Sequence, residues 1–200
     1  MQVDLEGRVA VVAGRGSEIG KSVARGLSEN GAETIEITTN TAAAAVSDLI
    51  ARRGRLDILV NVVLDPEAIP ADVDGLCRDV ARSMRRAGRI VNVTSALGLV
   101  PTRGEAGFSA SCAAILSLTR TLALELGARE ILVNAVAAGA HDGDVGRSAR
   151  LLSHVPIARA AANDEIVAAV LFLVDPDNSY TTGHILTVDG GWTAGYARNF

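Results

Sequence analysis

The stretch that decides the fold is Arg8-Val-Ala-Val-Val-Ala-Gly-Arg-Gly-Ser-Glu-Ile-Gly20, in which a short apolar run leads into a glycine-containing turn. A continuous apolar run of this length is typical of a strand that is buried on both faces of a parallel sheet. After the turn, Ile19, Val23 and Leu27 recur at intervals of four residues and predict an amphipathic helix. Strand, turn and helix in this order predict the first unit of a sheet in which strands and helices alternate.

The rest of the chain continues the same alternation. The sequence predicts further strands at 34–38, 56–60, 89–93, 131–136 and 185–192, and helices at 19–30, 41–53, 73–86, 109–127 and 163–174. We therefore predict one α/β domain over residues 1–200, with a doubly wound parallel sheet between two layers of helices.

Composition disfavours several classes of function. The chain has 200 residues, 48% of them hydrophobic, which is enough to bury a core. Its net charge of -4 disfavours nucleic-acid binding, which requires a basic face. Two cysteines without a disulfide pattern, Cys77 and Cys112, predict a reduced cytoplasmic protein. We expect no membrane span, because the sequence shows no signal segment and no uncharged run of about 18 apolar residues.

Several linked motifs resemble the short-chain dehydrogenase/reductase family, whose members are Rossmann-like three-layer αβα domains. The most specific is the closing segment 182–191, Thr-Gly-His-Ile-Leu-Thr-Val-Asp-Gly-Gly, and 133–136 followed by Gly139 also matches. Ser95 follows an apolar strand, as the family's catalytic Ser does. In the family a Tyr-x-x-x-Lys pair begins about thirteen residues later. The resemblance implies the family's fold and places the active site around Ser95.

The matching positions lack two of the family's catalytic groups. Phe108 stands at the family's Tyr and Cys112 at its Lys. The Tyr phenol exchanges a proton while hydride passes to or from a nicotinamide, and a phenyl ring has no titratable proton. The Lys lowers the phenol's pKa, but a thiol carries no fixed positive charge. No other Tyr-x-x-x-Lys exists, because the single lysine, Lys21, precedes both tyrosines.

Other candidate groups leave alternatives open. Ser95 either donates a hydrogen bond to a substrate oxygen or satisfies the backbone at the end of its strand, and we favour the second. Cys112 is either a nucleophile or a small core residue, and we favour the core because no base can be placed beside it. His141, His154 and His184 have no metal-ligand spacing with one another or with the cysteines, so we predict no metal site.

The resemblance points to Gly14, Gly20 and Asn61 as the positions of a vestigial dinucleotide site. Glycines in the first turn let the backbone approach a pyrophosphate at the helix N-terminus. Glu18 replaces a family glycine and puts a negative charge near the phosphates, although an acidic residue there also stabilises the helix. We therefore predict a disrupted turn with weak or lost binding, and assign no cofactor to this chain.

The sequence departs from the family in three further places. Thr38-Thr39 stand where the family often has an Asp for the adenosine ribose, and Val62-Val63 follow Asn61 where it has Asn-Ala. The intervals 38–56 and 61–89 are shorter than usual. We infer that the usual third strand and one helix are missing and that the second strand is a sheet edge. The helix that carries the family's catalytic Asn lacks its first turns.

These losses lead to the hypothesis of a pseudoenzyme, a catalytically inactive subunit that assembles with an active family member carrying NAD(P). Its interfaces would be the helix at 109–127 and the helix and strand at 164–192, which are apolar and need a cover. The family contains such α2β2 heterotetramers, for example the dehydrogenase of carrier-bound β-hydroxytyrosine in aminocoumarin antibiotic biosynthesis. The resemblance thus implies a β-hydroxyacyl or β-oxoacyl thioester substrate in secondary metabolism. The alternatives are a stand-alone ligand-binding sensor and an oxidoreductase of altered mechanism that works with Ser95 and water.

Overall fold

The centre of the fold is a six-stranded parallel sheet, seen in a computed structural model that describes residues 2–14, 16–37, 42–66, 69–142 and 152–195. The strands are β1 Val9–Ala13, β2 Glu33–Ile37, β3 Leu56–Val63, β4 Met84–Ser95, β5 Leu132–Ala138 and β6 Ile185–Val188. Their order is β2-β1-β3-β4-β5-β6, and each neighbouring pair is parallel. The predicted doubly wound parallel sheet is therefore confirmed.

Helices cover both faces of this sheet. Those within the described ranges are α1 Glu18–Glu29, α2 Ala42–Arg53, α3 Pro70–Ser83, α4 Ala106–Leu126 and α5 Asn163–Val174. Alternate residues of β1 face opposite layers, because successive strand side chains point to opposite faces. Ala10 and Val12 pack with α1 and α5, whereas Val9 and Val11 pack with α2, α3 and α4. This is the expected αβα arrangement. The domain bounds of 1–200 stay a prediction.

Strand β2 is the edge of the sheet, as the shortened interval after it predicts. It pairs with β1 and has no second neighbour among the described residues. Helix α2 follows it and leads directly to β3, so the chain between Ile37 and Leu56 holds one helix and no described strand. The prediction that the usual third strand and one helix are missing is confirmed.

The boundary between α3 and β4 differs from the prediction. The helix predicted over 73–86 ends at Ser83, and Met84 is already extended, with φ -70° and ψ 137°. From outside the helix, Arg129 donates to the carbonyl oxygens of Ala81 and Met84 at 2.7 and 3.1 Å. These bonds satisfy acceptors that a helix end leaves free. Apolar periodicity cannot reveal a partner more than forty positions away.

The longest helical segment, Ala106–Arg129, is long and apolar enough to cross a membrane by length and composition. It comprises α4 and a following 3-10 turn, Gly127–Arg129, and α4 packs against β4 and β5. One such helix is weak evidence of a span, because the core helix of a soluble protein passes the same test. The absence of a membrane span stays a prediction.

Candidate functional site

The candidate site lies at the carboxyl edge of the sheet, where β1, β3, β4 and β5 end. Ligands of open parallel sheets bind in the crevice at this edge. The register places Ala13 beside Asn61 and Ser95 beside Ala138. The residues singled out from the sequence therefore come from adjacent strand ends and from the first turns of α1 and α4.

The turn between β1 and α1 keeps a close backbone approach. A Cβ on Gly14 would lie 3.1 Å from the Cα of Gly20, tighter than nearly all real contacts. Ser17 caps α1, because its Oγ accepts from the N–H of Gly20 at 3.0 Å. Glycines in such a turn and the N-terminus of the following helix let the backbone approach a pyrophosphate, although Ser17 already accepts from one N–H here. The described part of the turn therefore keeps two of the glycines of a dinucleotide site and the helix N-terminus.

The carboxylate of Glu18 is exposed and paired with Lys21 on the surface of α1. Its side chain is 68% exposed, and Lys21 Nζ, one turn further on, donates to it at 2.7 Å. The hydrogen bond and charge of Lys21 lower the pKa of Glu18, and Glu18 in turn raises the pKa of Lys21. No contact among the described residues shows Glu18 obstructing the turn. The predicted disruption of the turn therefore stays a prediction. Thr38-Thr39, the proposed ribose position, lie outside the described residues.

Asn61 is part of a buried hydrogen-bonded chain. It is 2% exposed, and its Nδ2 donates to Asn92 Oδ1 at 2.8 Å and to Cys77 Sγ at 3.2 Å. Asn92 Nδ2 donates in turn to Thr119 Oγ1 at 2.9 Å. Burial raises the pKa of the Cys77 thiol to about 12, so the thiol stays neutral. These contacts agree with Asn61 as a hydrogen bonder at the strand end rather than a ligand contact.

Ser95 ends β4 and starts a short 3-10 turn, Ala96–Gly98. Its Oγ accepts from the N–H of Leu97 at 3.2 Å, which is the backbone role favoured from the sequence. A hydroxyl that accepts one hydrogen bond still carries a proton that it can donate. The side chain is only partly buried, so the second interpretation, donation to a substrate oxygen, remains chemically available.

An apolar cluster occupies the position of the family's phenol and ammonium. Phe108 and Cys112, one turn apart on α4, are 8% and 2% exposed and pack with Leu97 and Trp192. This burial agrees with Cys112 as a core residue. Val62 and Val63 at the end of β3 are also buried. The described cluster contains no phenol and no fixed positive charge, because its members are Leu97, Phe108, Cys112 and Trp192.

The sequence did not predict that Trp192 packs in this cluster. Trp192 follows β6, and the turn before it is held by Asp189, whose carboxylate accepts from the N–H groups of Gly191 and Thr193 at 2.9 and 2.7 Å. The signal that could have found it is the only tryptophan of the chain directly after Asp-Gly-Gly. Aromatic side chains bury much apolar area, so one partly buried tryptophan usually marks a packed position.

Gly98 fixes how closely the Ala96–Gly98 turn approaches α4, and this gives a stability prediction. A Cβ on Gly98 would lie 2.7 Å from the carbonyl carbon of Cys112. We expect Gly98→Ala to lower the free energy of unfolding by about 1–3 kcal/mol in urea denaturation, because backbone must move. The control is Gly107→Ala, on an exposed helical position with nothing within 4 Å. It should raise stability by up to about 1 kcal/mol. Equal effects of the two changes would contradict the packing described here.

The histidines do not form a metal centre in the part of the chain that the structure describes. His141 is buried and lies in an isolated bridge with Ala161, whereas His154 and His184 are exposed. The described residues contain no group of three or more His, Cys, Asp or Glu side chains that could hold a metal ion. No metal chemistry is therefore assigned to any of them.

The chain is similar to known reductases and dehydrogenases along most of its length. A family model described as enoyl-(acyl carrier protein) reductase matches residues 73–193. The 3-oxoacyl-[acyl-carrier-protein] reductase FabG of Vibrio harveyi is 31% identical over 242 aligned positions, covering 94% of this chain and 98% of the relative. Those positions outnumber the residues of this chain, so the relative has segments without a counterpart here.

Solved structures show the same fold. A short chain dehydrogenase from Burkholderia cenocepacia in complex with NADP has a TM-score of 0.83 and 27% identity, covering 94% of this chain and 98% of that one. A 7α-hydroxysteroid dehydrogenase complexed with NADH and 7-oxo glycochenodeoxycholic acid has a TM-score of 0.81 and 26% identity, covering 94% and 95%.

These relatives overturn the hypothesis of a catalytically inactive subunit that supports an active partner. They are named as reductases and dehydrogenases, and none of them points to inactivity or to a partner subunit. The hypothesis is wrong because it infers from the absence of the catalytic phenol that the chain has no activity. General acid catalysis contributes about 10²–10⁴-fold, a fraction of what enzymes achieve in total. Contacts through 109–127 and 164–192 are not tested by these findings and stay a prediction.

Proposed function

Because the chain belongs to the short-chain dehydrogenase/reductase family, we propose that it is an oxidoreductase of altered mechanism that uses a nicotinamide dinucleotide, Ser95 and water. The proposed substrate is a β-oxoacyl or β-hydroxyacyl thioester, the class to which the name of the FabG relatives refers. The observation that best supports the proposal is the position of Ser95. Ser95 ends β4 beside Ala138, with its oxygen held by the N–H of Leu97.

The first turn supports the dinucleotide part of the proposal. Gly14 and Gly20 lie so close that a Cβ on Gly14 would be 3.1 Å from the Cα of Gly20, and the N-terminus of α1 favours negative charge. These residues would hold the pyrophosphate. A bound nicotinamide would supply or accept two electrons as hydride. The NADP complex of the Burkholderia dehydrogenase and the NADH complex of the 7α-hydroxysteroid dehydrogenase support the same cofactor class.

Ser95 and solvent would handle the oxygen of the substrate. In the reduction direction, negative charge develops on the carbonyl oxygen, and the hydroxyl of Ser95 would donate a hydrogen bond to it. The oxygen then gains its proton from water, which is left as hydroxide, because Phe108 has no proton to give. The rate would therefore depend on Ser95 and be lower than with a phenol in place.

The proposal is tested with the purified chain and acetoacetyl-CoA as a probe thioester. With NADPH or NADH deuterated at the transferable position, we expect deuterium in the hydroxyacyl product, measured by mass spectrometry. Ser95→Ala should slow this transfer about tenfold to a hundredfold, because removal of one donor to a developing oxyanion has a cost of that order or more.

The matched control is Ser117→Ala, since Ser117 is exposed on α4. It should transfer deuterium at the wild-type rate. The proposal is refuted if no deuterium reaches the product with either cofactor. It is also refuted if Ser95→Ala and Ser117→Ala behave alike, because Ser95 then does nothing for the reaction.

Location and assembly belong to the same proposal. A cytoplasmic location is supported by two buried cysteines that form no disulfide, Cys77 and Cys112. A role in antibiotic biosynthesis is supported by the family resemblance alone. Light scattering of the purified chain would measure whether the predicted contact surfaces at 109–127 and 164–192 associate.

A further inference from the structure

We propose that Glu18 and Lys21 are a charge pair that sets the affinity of the first turn for the pyrophosphate of a dinucleotide, Glu18 weakening it and Lys21 strengthening it. The inference rests on the proposed function, because it concerns the same site. It assigns a specificity role to two residues that take no part in the proposed chemistry. It also predicts opposite effects from neutralising either one.

The geometry places both charges beside the turn. Glu18 is the first residue of α1, directly after the cap Ser17, and Lys21 lies one helical turn further on. Their side chains are 68% and 56% exposed and joined by a 2.7 Å contact. The hydrogen bond and charge of Glu18, and to a smaller extent the charge of Glu36, raise the pKa of Lys21. The single lysine of the chain is therefore paired with a carboxylate at the edge of the candidate site.

The charges of the two residues have opposite effects on the affinity for a pyrophosphate. The N-terminus of a helix favours negative charge, so Glu18 and an incoming pyrophosphate compete for the same positive potential. Lys21 reduces this competition because its ammonium offsets the carboxylate. Both side chains face water and are screened, so each neutralisation should change affinity by about three- to tenfold at low ionic strength.

A purely structural role for Glu18 makes a different prediction. An acidic residue in the first turn stabilises a helix, and its removal should then lower thermal stability without changing the affinity for a dinucleotide. Under our proposal, Glu18→Gln lowers the melting temperature of the free protein slightly and yet tightens dinucleotide binding. The two readouts move in opposite directions, which a structural role cannot produce.

The test is calorimetric titration with NADH and with ADP-ribose, which both carry the pyrophosphate, and with adenosine, which does not. We expect Glu18→Gln to lower Kd for the first two about three- to tenfold and Lys21→Met to raise it by a similar factor. The double variant should lie near the wild type. Adenosine binding should not change, and high salt should reduce every difference.

The control is Glu29→Gln, which removes the same charge from the last residue of α1, about 16 Å along the helix axis. It should leave Kd unchanged. If all variants bind NADH with the wild-type Kd, the inference is overturned and the proposed function stands. If neither the wild type nor any variant binds NADH or ADP-ribose, both are overturned.

Discussion

The double variant Phe108→Tyr/Cys112→Lys should reduce the probe thioester about a hundredfold to ten-thousandfold faster than the wild type. This is the range that a positioned general acid contributes. The new phenol would donate the proton that Phe108 cannot, and the new ammonium would lower the phenol's pKa toward the working range. Steady-state oxidation of NADPH by the purified variant, with acetoacetyl-CoA as substrate, measures the gain.

The structure supports this placement of the two groups. Phe108 and Cys112 are four residues apart on the buried side of α4, and side chains at that spacing are neighbours on a helix surface. The tyrosine adds one hydroxyl to a ring that is already 8% exposed and packed with Leu97 and Trp192. The longer lysine side chain has to displace more of the surrounding side chains, because Cys112 is 2% exposed. A loss of stability in the double variant is therefore expected alongside the gain in rate.

The control for this prediction is Phe108→Tyr/Cys112→Met, which carries the phenol beside a long neutral side chain. It should show a much smaller gain, because the phenol then keeps a high pKa. Circular dichroism would establish that each variant is folded. A folded double variant with the wild-type rate would show that the proton step does not limit the reaction, contrary to the proposed role of Ser95 and water.

Much of the fold could be predicted from the sequence because its signals are local. Apolar runs such as Val9–Ala13 predicted the strands, and the short interval between β2 and β3 predicted that β2 is the edge of the sheet. The end of α3 could not be found in this way, because it depends on Arg129, which is distant along the chain. Contacts of that kind arise only when the tertiary structure forms.

The candidate site was predictable in its positions and less so in its environment. Spacing from Ser95 placed Phe108 and Cys112 at the start of α4, and both lie there. The sequence did not show that Lys21 holds the carboxylate of Glu18, or that Trp192 packs against Phe108. The sequence cannot show which partner the Lys21 side chain selects. The contact between Trp192 and Phe108 joins residues that are far apart along the chain and meet only in the folded protein.

The buried hydrogen bonds among Asn61, Asn92 and Thr119 lead to the second prediction of a large effect, which concerns stability. Asn92→Leu is expected to lower the free energy of unfolding by about 2–4 kcal/mol in urea denaturation. The change removes two buried hydrogen bonds, the one that Asn92 accepts from Asn61 and the one that it donates to Thr119, while Asn61 keeps its contact with Cys77 and Thr119 its bond to the carbonyl of Ile115. Each loss at a buried polar group costs about 1–3 kcal/mol. The midpoint should fall while the dependence on urea stays constant, because the surface exposed on unfolding is the same.

A comparison with Asn61→Leu separates hydrogen bonding from packing. The Oδ1 of Asn61 is buried without a partner, so the leucine removes one unsatisfied acceptor along with the two hydrogen bonds that Nδ2 donates to Asn92 and Cys77. We expect this variant to be less destabilised than Asn92→Leu, and the double variant to cost less than the sum of the two, because neither partner is then left alone. Thr121→Val is the surface control, since this exposed threonine bonds only a carbonyl on its own helix at 3.2 Å. If Asn92→Leu proved as stable as Thr121→Val, the amide chain would contribute no stability and the β3–β4–α4 contact would rest on apolar packing alone.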